Sequence, residues 1–306
     1  MRIVGLTMIT NPDYREDPWR ESIAQALDVF DAVFVVCGRR EDVAQVYEAF
    51  PTDRGDRLRA EFLDWPQPEW SYEELPRHLN FGIERVLAEL DPTWIFKFDI
   101  DVAVHEHDRD RLRWELLRLF NARKALATFE KLQFFQVRRA YEKGKIPLAL
   151  NVALYPQMRY GHDSTRYTDL CQPIIPSGEV STMNPTGHPI PKGLPVEGFK
   201  VASTGLRIWN YDYSFKTKER ATELLFHFDR SHALFWSAGY GGKKLEEITP
   251  ETALGEYLEL VRGRAKKCLK RFEPAEHPHH FRRIVAEIRP EQFGHSLWNE
   301  IELPPL

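Results

Sequence analysis

The sequence predicts an α/β fold, with a mostly parallel sheet flanked by helices and a helical C-terminal portion. Three observations predict it. Short apolar runs rich in β-branched residues alternate with amphipathic helical stretches over the first hundred residues, the pattern of successive βαβ units. The fourth apolar run closes on two aspartates, Asp99 and Asp101, at the end of a strand where open α/β sheets collect their ligands. From Thr217 onward the apolar spacing becomes helical.

Taken in order, Ile3 to Ile9 is an apolar run that stops at Thr10-Asn11-Pro12, a buried strand and its turn. Trp19, Ile23, Ala26, Leu27 and Phe30 fall on one helical face. Ala32 to Cys37 is a second buried strand ended by Gly38, Val43 to Phe50 a short helix, and Arg59 to Leu63 a third strand. Leu75, Leu79, Ile83, Val86, Leu87 and Leu90 line a longer helix, and Trp94 to Phe98 is the fourth strand. Asp108 is the natural N-cap of the next helix, so His105-Glu106-His107 reads as a helix start. Ala125 to Val137 and Leu148 to Tyr155 are further strands, and Val201 to Trp209 the last.

Between them, Pro156 to Gly198 carries so many prolines and glycines that no long regular element is expected there. A segment of that length is expected to form an acceptor wall or a lid that excludes water. His277-Pro278-His279-His280 reads as a surface turn entering the last helix. The basic run from Arg262 to Arg271 reads as a solvated face, with a phosphate-bearing acceptor as the sharper alternative.

Composition narrows the function. A chain of 306 residues can bury a sizeable core, and its formal net charge of -4 excludes a global attraction to phosphate backbones or anionic membranes. Cys37, Cys171 and Cys268 are far apart and form no CxxC pair, against a disulfide framework or structural zinc. The opening residues turn polar too early for a signal peptide, and no apolar run reaches the ~20 residues that span a bilayer. The expectation is a cytoplasmic chain without a transmembrane segment; the oligomeric state leaves no mark.

Two carboxylates at positions i and i+2 of a strand point to the same side. They repel unless a cation lies between them. Magnesium or manganese suits such a pair, completing its shell with water and phosphate oxygens, and would stabilise a departing diphosphate as a Lewis acid. The same pair occurs as a plain strand end and cap; its place after an apolar strand gives weight to the metal. Trp65 and Trp70 offer rings that either stack on a base or sugar or pack on the sheet.

Arg77-His78-Leu79-Asn80-Phe81-Gly82-Ile83, then Trp94 to Asp101, then His105-Glu106-His107-Asp108 resemble the core of the family 2 type glycosyltransferases of GT-A fold. The resemblance covers about the first 120 residues, and more loosely Val201 to Phe228. It implies a Rossmann-like sheet with Asp99 on the ribose or metal, Asp101 on the metal, and the nucleotide near Thr10, Asn11 and Gly38-Arg39. It implies nucleotide contact for Asn80 and close packing for Gly82. Three departures stand out. Val102 replaces a common glutamate, Cys37-Gly38-Arg39 lacks an aspartate for the base, and Trp209-Asn210-Tyr211-Asp212 lies where a metal-binding histidine is usual. Asn210 or Asp212 would then supply an oxygen ligand. Glu197 matches the place of a His-Glu pair and is the expected catalytic base, with Glu179, Asp163 and Asp169 competing.

The expectation is therefore a catalytic, nucleotide-sugar-binding domain over residues 1–212 and a helical extension over 213–306. It would move a sugar from a UDP- or GDP-sugar, with Mn²⁺ or Mg²⁺, to a hydroxyl of a glycan, lipid carrier, protein or modified nucleobase. A non-catalytic nucleotide- or sugar-binding protein on the same scaffold is the rival that Val102 and Asn210 favour. A nucleotidyltransferase fits less well, because Asn11-Pro12-Asp13-Tyr14 has no glycine-rich phosphate loop.

Overall fold

The structure is a computed structural model in which residues 1–65, 74–136, 139–163, 172–183, 188–195, 201–236, 243–265 and 270–294 are described. Its first half follows the alternation in the sequence: β1 (Ile3–Ile9), α1 (Trp19–Val29), β2 (Ala32–Cys37), α2 (Arg40–Ala49), β3 (Leu58–Phe62), α3 (Glu74–Glu89) and β4 (Trp94–Lys97). Then come β5 (Val102–Val104), α4 (Arg109–Asn121), β6 (Leu126–Gln136), β7 (Arg139–Asn151) and β11 (Val201–Asn210), with β8 to β10 described below.

The main sheet has the order β3-β2-β1-β4-β7-β6-β11-β5. The β1, β2, β3 and β4 ladders are parallel, as is β6 with β11. β7 runs antiparallel to both β4 and β6, and β5 antiparallel to β11. The chain steps outward from β1 to β3 and returns on the other side at β4, which creates a crevice at the carboxyl ends of β1 and β4.

Both faces of this sheet are covered. α1, α2 and α4 pack on one face, where Trp19, Ile23, Val46, Leu112 and Leu116 meet Val33, Val35 and Phe96. Phe96 lies between Phe30 and Phe129, at centroid distances of 4.9 and 5.0 Å. Losing so enclosed a ring costs about 3–5 kcal/mol. α3 covers the opposite face with Leu79, Ile83, Val86 and Leu90 against Val4, Leu6, Phe34 and Ile95. Gly82 sets that approach, since a Cβ there would stand 2.5 Å from Leu6 Cδ1.

Three parts depart from the sequence reading. β7 runs back toward Arg139 and ends at Asn151; Tyr155 belongs to a turn, where its N–H donates to the Asn151 carbonyl at 3.0 Å. The proline-rich segment carries three strands, β8 (Arg159–Asp163), β9 (Gln172–Met183) and β10 (Pro189–Pro195), which close into a small barrel. Pro191 is tolerated because the ladder is irregular on both sides of it, and Pro189 and Pro195 stand at the ends of β10. Gly193 lets the strands close up, for a Cβ there would lie 2.1 Å from the Ile175 carbonyl oxygen.

The third departure is His277. It is fully buried among Phe134, Trp209 and Tyr211, and its Nδ1 is 2.8 Å from the Tyr211 hydroxyl. The turn is therefore a core anchor, fixed by the aromatic faces around it. The remaining C-terminal elements are α5 (Lys218–Trp236), α6 (Pro250–Ala265), β12 (Lys270–Arg271) and α7 (Arg282–Ala286). Among the described residues no helix is long and apolar enough to cross a membrane.

Candidate active site

A cavity of about 650 Å³ opens at the carboxyl ends of β1 and β4. Its floor holds Thr10, Lys97, Asp99 and Asp101; Asn210, Asp212 and Tyr213 follow β11 into one side. The barrel contributes Tyr160, Gln172 and Pro173, and α5 contributes Leu224 and Phe228. Part of the proline-rich segment thus lines the cavity.

β4 ends at Lys97, so the aspartate pair stands on a turn and not on the strand itself. The Val102 N–H donates to the Asp99 carbonyl at 2.9 Å, and the Tyr211 N–H to the Asp101 carbonyl at 2.9 Å. This turn reverses the chain into β5. The strand-alternation argument does not apply there, yet both carboxylates face the same cavity.

Their environments differ. The Asp99 side chain is about half exposed, at 54%; partial desolvation works to raise its pKa, but Lys97 and Lys131 outweigh this and hold it below the usual range. Lys97 Nζ lies 2.6 Å from Asp99 Oδ1. Asp101 is pushed up to about 7, first by burial, then by the charges of Asp99 and Asp212, with Lys131 and Lys216 opposing. Its buried Oδ1 accepts no hydrogen bond from any described residue.

The other expected residues divide. Thr10, Asn210 and Asp212 line the cavity, with the Asn210 Oδ1 accepting from Gln133 Nε2 at 2.7 Å and Asp212 Oδ2 from the Tyr257 hydroxyl at 3.0 Å. Asp212 sits at φ 47°, in the left-handed region. Asn11 and Arg39 are outside the lining and converge on buried Asp42: the Asn11 N–H donates to Oδ2 at 3.1 Å, and Arg39 Nε is 3.3 Å from Oδ1. They tie the end of β1 to the start of α2. Asn80 clamps β8, donating to the Tyr160 carbonyl at 2.8 Å and accepting its N–H at 2.7 Å. Glu197 and Asp169 lie outside the described residues, and Glu179 pairs with Lys192 at 3.7 Å. Trp65 is buried and lines the cavity, with its ring 4.4 Å from that of His78; Trp70 lies outside the described residues.

Several lining residues have no counterpart in the sequence reading. Lys97, Lys131, Arg15, Asp17 and Lys216 all face the cavity. Lys216 is nearly buried, pairs with Asp17 and donates to the Arg15 carbonyl at 2.9 Å. Lys97, inside an otherwise apolar strand, was the one visible signal; lone lysines elsewhere look like any solvated surface charge.

Among the described residues, one His/Glu trio brings its ligand atoms within 4.8 Å of one another: His105, Glu106 and His107. Two of its members are already engaged. His105 Nδ1 accepts the His107 N–H at 3.2 Å, while Glu106 accepts from Arg282 at 2.7 Å and from the His279 N–H at 3.0 Å. The trio starts a helix, as its sequence suggests, and holds the C-terminal segment. Asp108 takes the N-cap position without a side-chain cap bond.

No protein family model and no curated protein matches this chain. Among solved structures it is similar to TarS of S. aureus, at 12% identity over 98% of this chain and 92% of that one, with a TM-score of 0.39. It is also similar to 4-diphosphocytidyl-2C-methyl-D-erythritol synthase of Anaerococcus prevotii, at 11% identity over 50% of this chain and 71% of that one, TM-score 0.34. Mannose-6-phosphate isomerase of Helicobacter pylori matches at 8% identity over 51% and 72%, TM-score 0.32. At these scores the likenesses assign neither family nor activity.

Proposed function

We propose that the chain transfers a glycosyl group from a nucleotide-sugar to an acceptor hydroxyl, with Mg²⁺ or Mn²⁺ held by Asp99 and Asp101. The observation that carries this reading is Asp101: a half-buried carboxyl whose buried Oδ1 accepts no hydrogen bond from any described residue, beside two further aspartates in a cavity at the sheet's ligand-binding edge. A donor set of hard carboxylate oxygens suits a hard divalent ion. Such an ion, when bound, neutralises charge on the departing diphosphate. Asp99, Asp101 and Asp212 are not drawn into one tight group, and two carboxylates suffice where phosphate and water complete the shell.

The chain's own groups do the rest. Lys97 and Lys131 set positive charge beside the aspartates, where phosphate oxygens would lie. Trp65 offers a ring at one wall, and Tyr160 and Pro173 close another against water. Asn210 and Asp212 reach the cavity as further oxygen donors, and Thr10 as a hydroxyl.

One observation favours a second reading, a nucleotide-binding protein without transfer. Lys97 already occupies Asp99, and Gln133 already occupies Asn210, so the expected ligand set is partly satisfied without an ion. A thermal-shift panel of UDP-, GDP-, CMP- and dTDP-sugars, with and without Mn²⁺ or Mg²⁺, tests both. At a hundredfold excess over Kd a ligand adds about 2.7 kcal/mol to the native state. A metal-dependent shift for one nucleotide, lost in Asp101→Ala, supports the transferase when donor turnover accompanies it. A shift without turnover supports the binding protein, and no shift at all overturns both.

A further inference from the structure

A second cavity, of about 790 Å³, lies between α5, α6 and the hairpin end of β6 and β7, where Gln133 and Tyr141 are paired. Its walls are mainly apolar and aromatic, with Tyr141, Tyr213, Leu225, Phe228 and Leu260 prominent. Asp212, Tyr213 and Phe228 line this cavity and the first one alike. The two spaces therefore meet at a common wall, which Tyr257 braces through its hydrogen bond to Asp212.

We infer that this second cavity is the acceptor site, and that it takes an uncharged amphipathic alcohol: an aromatic or aliphatic body with its hydroxyl toward the shared wall. The inference rests on the transferase reading above. Size admits a small organic molecule, since ligand pockets run to roughly 300–1,000 Å³. Charge selects its class. Among the described lining residues the acids Asp212, Asp229, Glu256 and Glu259 stand against one basic residue, Lys243, which is paired with Glu256 at 2.7 Å, while Glu259 is paired with Arg262 at 2.5 Å. A phosphate-bearing lipid carrier or a nucleic acid would meet repulsion there, with the one cation among the described lining residues already paired. A neutral ring buries its faces on the tyrosines and brings no negative charge against the acids.

Calorimetric titration of the full chain with 2-naphthol and with 2-naphthyl phosphate tests the class and the place. The expected result is saturable binding of 2-naphthol, at least tenfold tighter than the phosphate ester. Gly255 is an exposed lining residue, and a Cβ built on it meets nothing within 4 Å, so Gly255→Trp adds an indole at the opening without a clash at its Cβ. That variant should lose at least tenfold in 2-naphthol affinity while its circular dichroism and its metal-dependent nucleotide shift stay unchanged. Leu260→Arg, at an exposed mouth position, should narrow the preference between the two ligands, and it decides the matter if Gly255→Trp fails to fold. No saturable binding of 2-naphthol, equal affinity for the phosphate ester, or undiminished binding in both variants overturns the proposal. Normal 2-naphthol binding in a chain that shows no nucleotide shift overturns the transferase reading and the acceptor role, and leaves the ligand class standing.

Discussion

At the scale of single residues, the two aspartates of the turn pull in opposite directions, and Asp101 is the informative one. Its pKa stands at about 7 against an ordinary 3.8. As pH rises from 4 to 7 the unfolded chain releases this proton before the folded one, so stability falls across that window and the loss is complete above it. In the absence of divalent ions, Asp101→Asn should be more stable than the wild type at pH 8 by about 2 kcal/mol, allowing for solvent screening of a half-buried group. The gap should close by pH 4, as read by urea unfolding at the two pH values; a gap independent of pH would sink the assignment. Asp17 and Lys216 make a second residue-level case, both side chains being at most 5% exposed. Asp17→Ala should cost about 3–5 kcal/mol because it leaves a buried ammonium uncompensated, and Asp17→Ala with Lys216→Met should recover much of that. Neither residue was legible in advance. Asp99 and Asp101 were, because two acids closing an apolar strand break the local pattern. Lys216 and Asp17 look solvated until the fold brings together positions 199 apart in the chain.

At the scale of elements, legibility followed burial. β1, β2 and β4 lie inside the sheet and are largely buried on both faces, Lys97 excepted, so they read directly as largely apolar runs. β5 has only three residues, fewer than a hydrophobic period needs to declare itself. The barrel was hidden by its prolines, among them Pro191, whose place between two register shifts depends on pairings that no local window contains. Asn80 joins α3 to that barrel through a two-bond clamp on Tyr160. Asn80→Asp keeps the acceptor but loses the donor, leaving the Tyr160 carbonyl facing a carboxylate. It should cost more than Asn80→Ala, which should lose about 1–3 kcal/mol. Faster amide exchange at Tyr160, with β1 unaffected, is the expected signature; equal loss of protection in both elements would make Asn80 a general core residue instead.

For the whole molecule, the C-terminal elements complete the core as well as the site. Phe281 and Val285 pack with Phe134, Trp209 and Tyr211, and Phe293 with Tyr141, Leu258 and Val261. A chain stopped at residue 212 would expose those aromatic faces, and we expect it to bind a hydrophobic dye and to unfold without a cooperative transition. A sharp transition would instead establish residues 1–212 as a domain that folds alone. The first cavity has a related consequence in time. Its walls come from Met8 through Phe228, and the Lys216 contact with the Arg15 carbonyl spans 201 positions. Closing so long a loop falls late in folding, after the local βα units have formed. Any molecule that lodges in the cavity then meets no partner in the transition state. In stopped-flow chevrons, a saturating ligand should lower the unfolding arm and leave the refolding arm where it was, so that occupancy lengthens the lifetime of the native chain without hastening its birth.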